Sequence, residues 1–154
     1  MRYITNFKKN GCVFCGALQQ EDGPENLIVT RGERAFVILN AYPYTSGHLM
    51  VLPYQHAPDL ALLDAETRAE MIELVTKAST VLRDLYSPEG FNIGINMGEA
   101  AGAGIEEHIH IHIVPRWQGD TNFMGTTAET RVVPETPEQT WERLYPAFAG
   151  GPED

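Results

Sequence analysis

The stretch "EEHIHIHIVPRW" (106–117) places three of the chain's five histidines, His108, His110 and His112, at alternate positions with isoleucines between them. In a strand, alternate side chains share a face. The three imidazoles therefore form one row, and Ile109, Ile111 and Ile113 fill the opposite side. At about 3.3 Å per residue, the row from His108 to His112 is about 13 Å long. A single metal ion cannot gather all three without severe bending, because Zn–N bonds are only about 2.0–2.1 Å. A merely solvated edge strand has no need of three histidines in register. Phosphate chemistry suits them better. Neutral imidazole, with an ordinary pKa near 6.5, is a nucleophile that attacks phosphorus to give a phosphoramidate. Neighbouring imidazoles then donate hydrogen bonds to the charged oxygens or the leaving group. Directly before the row, "GEAAGAG" (98–104), with Gly102 and Gly104, offers unhindered backbone N–H groups to phosphate oxygens.

The elements that must hold this row are legible in the hydropathy pattern. "LIVT" (27–30) and "RAFVILN" (34–40) read as strands joined by a turn containing Gly32. "HLMVLP" (48–53), "FNIGINM" (91–97) and "HIHIHIV" (108–114) read as three more. Between the third and fourth lies the clearest helix, where Met71, Leu74, Val75, Ala78, Val81, Leu82 and Leu85 recur on one stripe. Asp64 is its N-cap, Glu66 sits in its first turn, and "SPEG" stops it. Thr136, Pro137 and Gln139 form a capping box that starts a short C-terminal helix carrying Trp141, Leu144 and Tyr145. The first stretch, to about Asn26, reads as polar and irregular. The expected fold class is α+β, with a five-stranded, mainly antiparallel sheet, one long helix and a short C-terminal helix.

At 154 residues the chain suits one domain with a full core. A formal net charge of −10 argues against duplex nucleic acid as partner, which would require a basic stripe. It leaves room for one small phosphorylated ligand. No window approaches the run of about 20 apolar residues needed to cross a bilayer. The N-terminus "MRYITNFKKNG" lacks the apolar stretch of a secretion signal, so the expected location is the cytoplasm.

Several separated motifs resemble the histidine triad (HIT) family. "HIHIHIV" matches its His-x-His-x-His signature, and "SGHLMVLPYQH" (46–56), "LN" (39–40) and the "CVFC" pair follow the family's order. The resemblance covers most of residues 12–117. It implies one HIT domain over 1–154, with an N-terminal segment (1–26), a core (27–117) and a C-terminal extension (118–154). It also implies a homodimer whose two sheets join into one. By the same resemblance His110 is the nucleophile on an α-phosphorus, His112 and His48 support the phosphate, Asn40 contacts the ribose and Asn96 contacts phosphate. "PRWQGDTNFM" (115–124) and "TRVVPET" (130–136) look most like the bacterial diadenosine tetraphosphate phosphorylase branch. Members of that branch split the dinucleotide with inorganic phosphate into ADP and ATP through an AMP–histidine intermediate. "AGAGIEEH" is one residue longer than the matching stretch of the hydrolase branches and lacks its Gln and Ser. The alternatives are a hydrolase of dinucleoside polyphosphates or nucleoside phosphoramidates, and a nucleotide-binding protein with little turnover.

Cys12 and Cys15 form one C-x2-C pair, half of a closed tetrahedral zinc site. With His48, His110 and His112 assigned to phosphate by the resemblance, His56 and His108 are the histidines left. The resulting Cys2His2 set agrees with zinc-containing family members and makes His108 structural. The other reading is two reduced cysteines in a loop, with Phe14 filling the core. A redox pair is disfavoured because no helix pattern follows to lower a thiol pKa. Tyr42, Tyr44 and Tyr54 are candidates either for stacking on a base or for core packing. Strand alternation places Glu106 on the histidine face and Glu107 opposite.

Overall fold

Five short strands form one sheet in the order β1-β2-β3-β5-β4, every neighbouring pair antiparallel. The strands are β1 (Ile28–Arg31), β2 (Ala35–Leu39), β3 (Leu49–Pro53), β4 (Gly90–Ile95) and β5 (Ile111–Arg116). Among the described residues three α-helices accompany them: α1 (Val13–Leu18), α2 (Ala65–Tyr86) and α3 (Pro137–Gly150). The structure, a computed structural model, describes residues 11–43, 45–103, 107–120 and 135–150.

The alternation read in the strands sorts their side chains onto two faces. Val37, Leu39, Leu49, Val51, Ile111 and Ile113 pack against Met71, Val75, Ala78 and Leu82 of α2 and against Leu144 and Phe148 of α3. Leu82 and Leu144 are fully buried, which is worth about 1.5–3 kcal/mol each. On the opposite face Ile28, Phe36, Ile38, Met50 and Leu52 form a smaller cluster covered by Ala17 of α1. The histidine row shares that second face, since it alternates with Ile109, Ile111 and Ile113.

The helix ends follow their sequence signals. The Asp64 carboxylate accepts from Thr67 N–H at 2.8 Å, and Ser87 closes α2 in the left-handed region. At α3 the reciprocal box is complete: Gln139 N–H donates to Thr136 Oγ1 at 3.1 Å, and Thr136 N–H to Gln139 Oε1 at 2.9 Å. Trp141 Nε1–H donates to Ile28 O at 2.8 Å and so ties α3 to the edge strand β1.

Three expectations about local structure are corrected. Residues 13–18 form a helix inside the stretch read as irregular, because Cys12 caps it through Sγ, which accepts from Cys15 N–H at 3.3 Å. That helix also removes the reason given for disfavouring a redox pair. β5 begins at Ile111, not at His108. Pro53 ends β3, and beyond it Ile109 N–H donates to Ala57 O at 2.7 Å in place of a strand partner. Finally, β4 stops at Ile95, short of Met97.

Candidate functional site

One corner, which holds His48, His110 and His112, is assembled where β3 and β5 begin. Gly47, with φ +84°, turns the chain just before β3, and an added Cβ there would stand 3.0 Å from Leu82. That tight turn places His48 inward, where it is completely buried. His48 Nε2 lies 2.9 Å from His112 Nδ1. The His110 and His112 rings have centroids 4.7 Å apart. Burial, reinforced by His112 and His110, lowers the His48 pKa to about 4. Burial first and His110 second also lower that of His112. Both imidazoles are therefore neutral near pH 7.

His110 Nδ1 lies 2.8 Å from the carbonyl oxygen of His108. A carbonyl oxygen only accepts, so Nδ1 carries a proton, and in the neutral ring Nε2 is then the nitrogen with the lone pair. This is the tautomer a nucleophile requires.

Asn40, one residue beyond β2, is held at both ends of its side chain. Its Oδ1 accepts from Tyr42 N–H at 2.8 Å, which turns Nδ2 toward the His48 ring at 3.4 Å. Its backbone N–H donates to His48 O at 3.0 Å. Asn40, His110 and His112 line a cavity of about 570 Å³ whose apolar wall includes Phe14, Ala17, Leu27, Ile38 and Met50. That volume suits a small organic ligand with a polar group at one end. Leu27 holds φ +65° beside this cavity, a strained backbone for an aliphatic residue.

The metal corner lies at the other end of the histidine row. The donor atoms of Cys12, Cys15, His56 and His108 all fall within 4.8 Å of one another. Cys12 Sγ is 3.5 Å and Cys15 Sγ 3.6 Å from His108 Nδ1, and Cys15 Sγ is 3.4 Å from His56 Nδ1. Bonds of about 2.3 Å to sulfur and 2.0–2.1 Å to nitrogen, arranged tetrahedrally, require S···N edges of about 3.5–3.6 Å. The residues fit the ion. His108 Nε2–H donates to Pro53 O at 2.7 Å, the outer hydrogen bond typical of a ligating histidine, and so leaves Nδ1 for the metal. Burial lowers the His108 pKa to about 4, which keeps the ring neutral and able to ligate.

The remaining candidates are placed differently. Gly102 N–H is taken by Glu99 O at 2.9 Å, and Ala101 and Ala103 N–H both go to Gly98 O. The glycine-rich turn thus spends these amides on itself. Gly104, Glu106 and Tyr44 lie outside the described residues. Asn96 is exposed just past β4 and is not part of the cavity lining. Glu107 does line the cavity, against the expectation from alternation, because residue 107 precedes the paired part of β5. Tyr54 packs on Phe36 with centroids 5.6 Å apart, whereas Tyr42 is 87% exposed at the cavity. Sequence reasoning missed the cavity wall from α1. The signal available was Val13, Phe14 and Ala17, apolar at helical spacing within and after the C-x2-C pair.

Residues 22–119 match the HIT domain family. The chain is 38% identical over 135 residues to the AP-4-A phosphorylase of Mycobacterium tuberculosis H37Rv, covering 88% of this chain and 69% of that protein. An uncharacterized 16.1 kDa HIT-like protein of Mycoplasma pneumoniae is 30% identical, covering 88% and 90%. Among solved structures, a Zn-bound histidine triad family protein from Mycobacterium smegmatis superposes with TM-score 0.70 at 30% identity, covering 92% of this chain and 96% of that one. A hypothetical histidine triad nucleotide-binding protein from Sulfolobus tokodaii gives TM-score 0.70 at 26% identity, covering 90% and 93%. The family match runs across the whole sheet and all five histidines, so the chain belongs to the HIT domain family.

Proposed function

We propose that the protein is a nucleotidyl transferase acting on dinucleoside polyphosphates, with phosphorolysis of diadenosine tetraphosphate to ADP and ATP as its reaction. The observation that carries this reading is the 2.8 Å contact from His110 Nδ1–H to His108 O, which leaves Nε2 as the nucleophilic nitrogen at the cavity. Nε2 attacks the α-phosphorus, an N–P bond forms, and the bond from phosphorus to the bridging oxygen breaks. ATP leaves with that oxygen. The imidazole of the AMP adduct is then cationic and keeps its Nδ1–H on the His108 carbonyl, which stabilises the charge. Inorganic phosphate next attacks the same phosphorus, the N–P bond breaks, and ADP departs. His112, backed by the buried His48, supports the phosphate oxygens. Asn40 takes the ribose side, and Phe14, Ile38 and Met50 offer an apolar surface to the base.

Zinc held by Cys12, Cys15, His56 and His108 would supply structural cross-linking, tying α1 to the segment before β5 that bears His110. The 38% identical AP-4-A phosphorylase supports the substrate class. A homodimer fits the exposed edge strand β4, where Ile93 is 50% exposed and Met97, just beyond, is 41% exposed. Light scattering is expected to give twice the 17.1 kDa chain mass. Thiolate ligands suit the reducing cytoplasm.

Water as acceptor is the second reading, favoured by Glu107, whose carboxylate at the cavity repels an incoming dianion. Incubation of diadenosine tetraphosphate with and without millimolar phosphate separates the two. ADP and ATP formed only with phosphate supports phosphorolysis. AMP and ATP at the same rate in both reactions would establish hydrolysis instead.

A further inference from the structure

Helix α1 is six residues long, far below the length at which a helix is stable alone. Its position therefore depends on what grips it. The metal corner grips one end, through Cys12 and Cys15. Asn26 Nδ2–H grips the other, donating to Ala17 O at 3.0 Å. Between the two cysteines, Phe14 stands edge-on to His108 at 6.0 Å and tilted against His110 at 5.4 Å, centroid to centroid. The same ring lines the cavity together with Val13, Gly16 and Ala17. One aromatic side chain thus touches a metal-ligating ring, the nucleophile's ring and the ligand space.

We infer that Phe14 is a positioning residue that couples the two corners: a metal held by Cys12, Cys15, His56 and His108 fixes the cavity wall and the His110 ring through it, so metal and nucleotide bind cooperatively. The inference rests on the cavity being the nucleotide site. Its physical basis is that closing the metal corner fixes the α1 backbone on both sides of Phe14. Ordering completed by one ligand need not be repeated for the other. Such coupling is reciprocal, so the nucleotide must tighten the metal by the factor by which the metal tightens the nucleotide.

The probe is AMP, titrated calorimetrically into the full chain in its zinc-loaded and chelated forms. AMP is expected to bind the loaded form about tenfold more tightly. Phe14→Ala should keep one zinc per chain yet bind AMP equally in both forms, and Phe14→Tyr should restore the difference. Should the chelated chain fail to fold, the cobalt-substituted protein supplies a readout on folded, loaded protein only. Saturating AMP should shift its visible absorption bands in the wild type and not in Phe14→Ala. Normal AMP binding to the loaded protein with an unchanged cobalt spectrum, or equal affinity in two folded forms, would overturn the coupling alone. No AMP binding to the loaded wild type at millimolar concentration would overturn the nucleotide reading and the coupling with it.

Discussion

His108 and His110 are two residues apart, yet backbone carbonyls claim opposite nitrogens in their rings. His108 is buried, gives its Nε2–H to Pro53 O, and turns Nδ1 to the cysteine thiols. His110 gives its Nδ1–H to His108 O, which leaves Nε2 unclaimed by that carbonyl on a residue that lines the cavity. In each ring the nitrogen that a backbone carbonyl claims determines which nitrogen remains for chemistry. The difference lies in which carbonyl stands nearby: that of Pro53, at the end of β3, for His108, and that of His108, in the segment before β5, for His110.

The largest effect is expected at His110, the proposed nucleophile. His110→Ala is expected to lower turnover by at least about a thousandfold while leaving zinc content and melting temperature near wild type. Single-turnover assays beside metal analysis check this, and a variant with residual activity close to wild type would remove His110 from the mechanism. The metal corner should fail in the opposite manner. A Cys12→Ser, Cys15→Ser double variant should lose its zinc and melt about 10 °C lower, since structural metal binding is folding free energy. Unchanged metal content in that variant would show that other residues hold the ion.

Acid should weaken the corner around His48. Its folded pKa is about 4 against an ordinary 6.5, so the unfolded chain binds the extra proton between those values. The stability His48 contributes is full above pH 6.5 and is lost as pH falls toward 4, about 3 kcal/mol at most. Urea midpoints measured from pH 7 to 4 should therefore fall more steeply for the wild type than for His48→Gln. Parallel curves would assign the acid loss elsewhere. The smallest effect belongs to neither corner. Thr136→Ala removes one half of the α3 capping box and should cost about 1 kcal/mol of stability with unchanged kcat, read from a denaturant midpoint beside an activity assay.

Much of this architecture is written locally. The isoleucine–histidine alternation fixes the two faces of β5, and the stripe on α2 fixes what covers one of them. Asp64, Thr136 and Gln139 mark their helix ends by short-range hydrogen bonds that need no distant partner. Helix α1 was not legible because its cap is the Cys12 sulfur, an atom whose surroundings depend on His108, 96 positions later. Glu107 was misplaced for a related reason. Alternation holds only where a strand is paired, and pairing of β5 begins at Ile111.

The sequence by itself determined the residue types available for chemistry: three imidazoles in register, two thiols at metal spacing and one asparagine after a buried strand. It could not say how those groups divide, because every histidine carries the same two nitrogens. Tertiary structure decided that. The turn at Gly47 buries His48 beside His112, the end of β3 at Pro53 presents a carbonyl to His108, and α1 brings both cysteines to the same ring. These contacts join segments far apart in the chain, and their directions follow from where backbone carbonyls point once the sheet has formed.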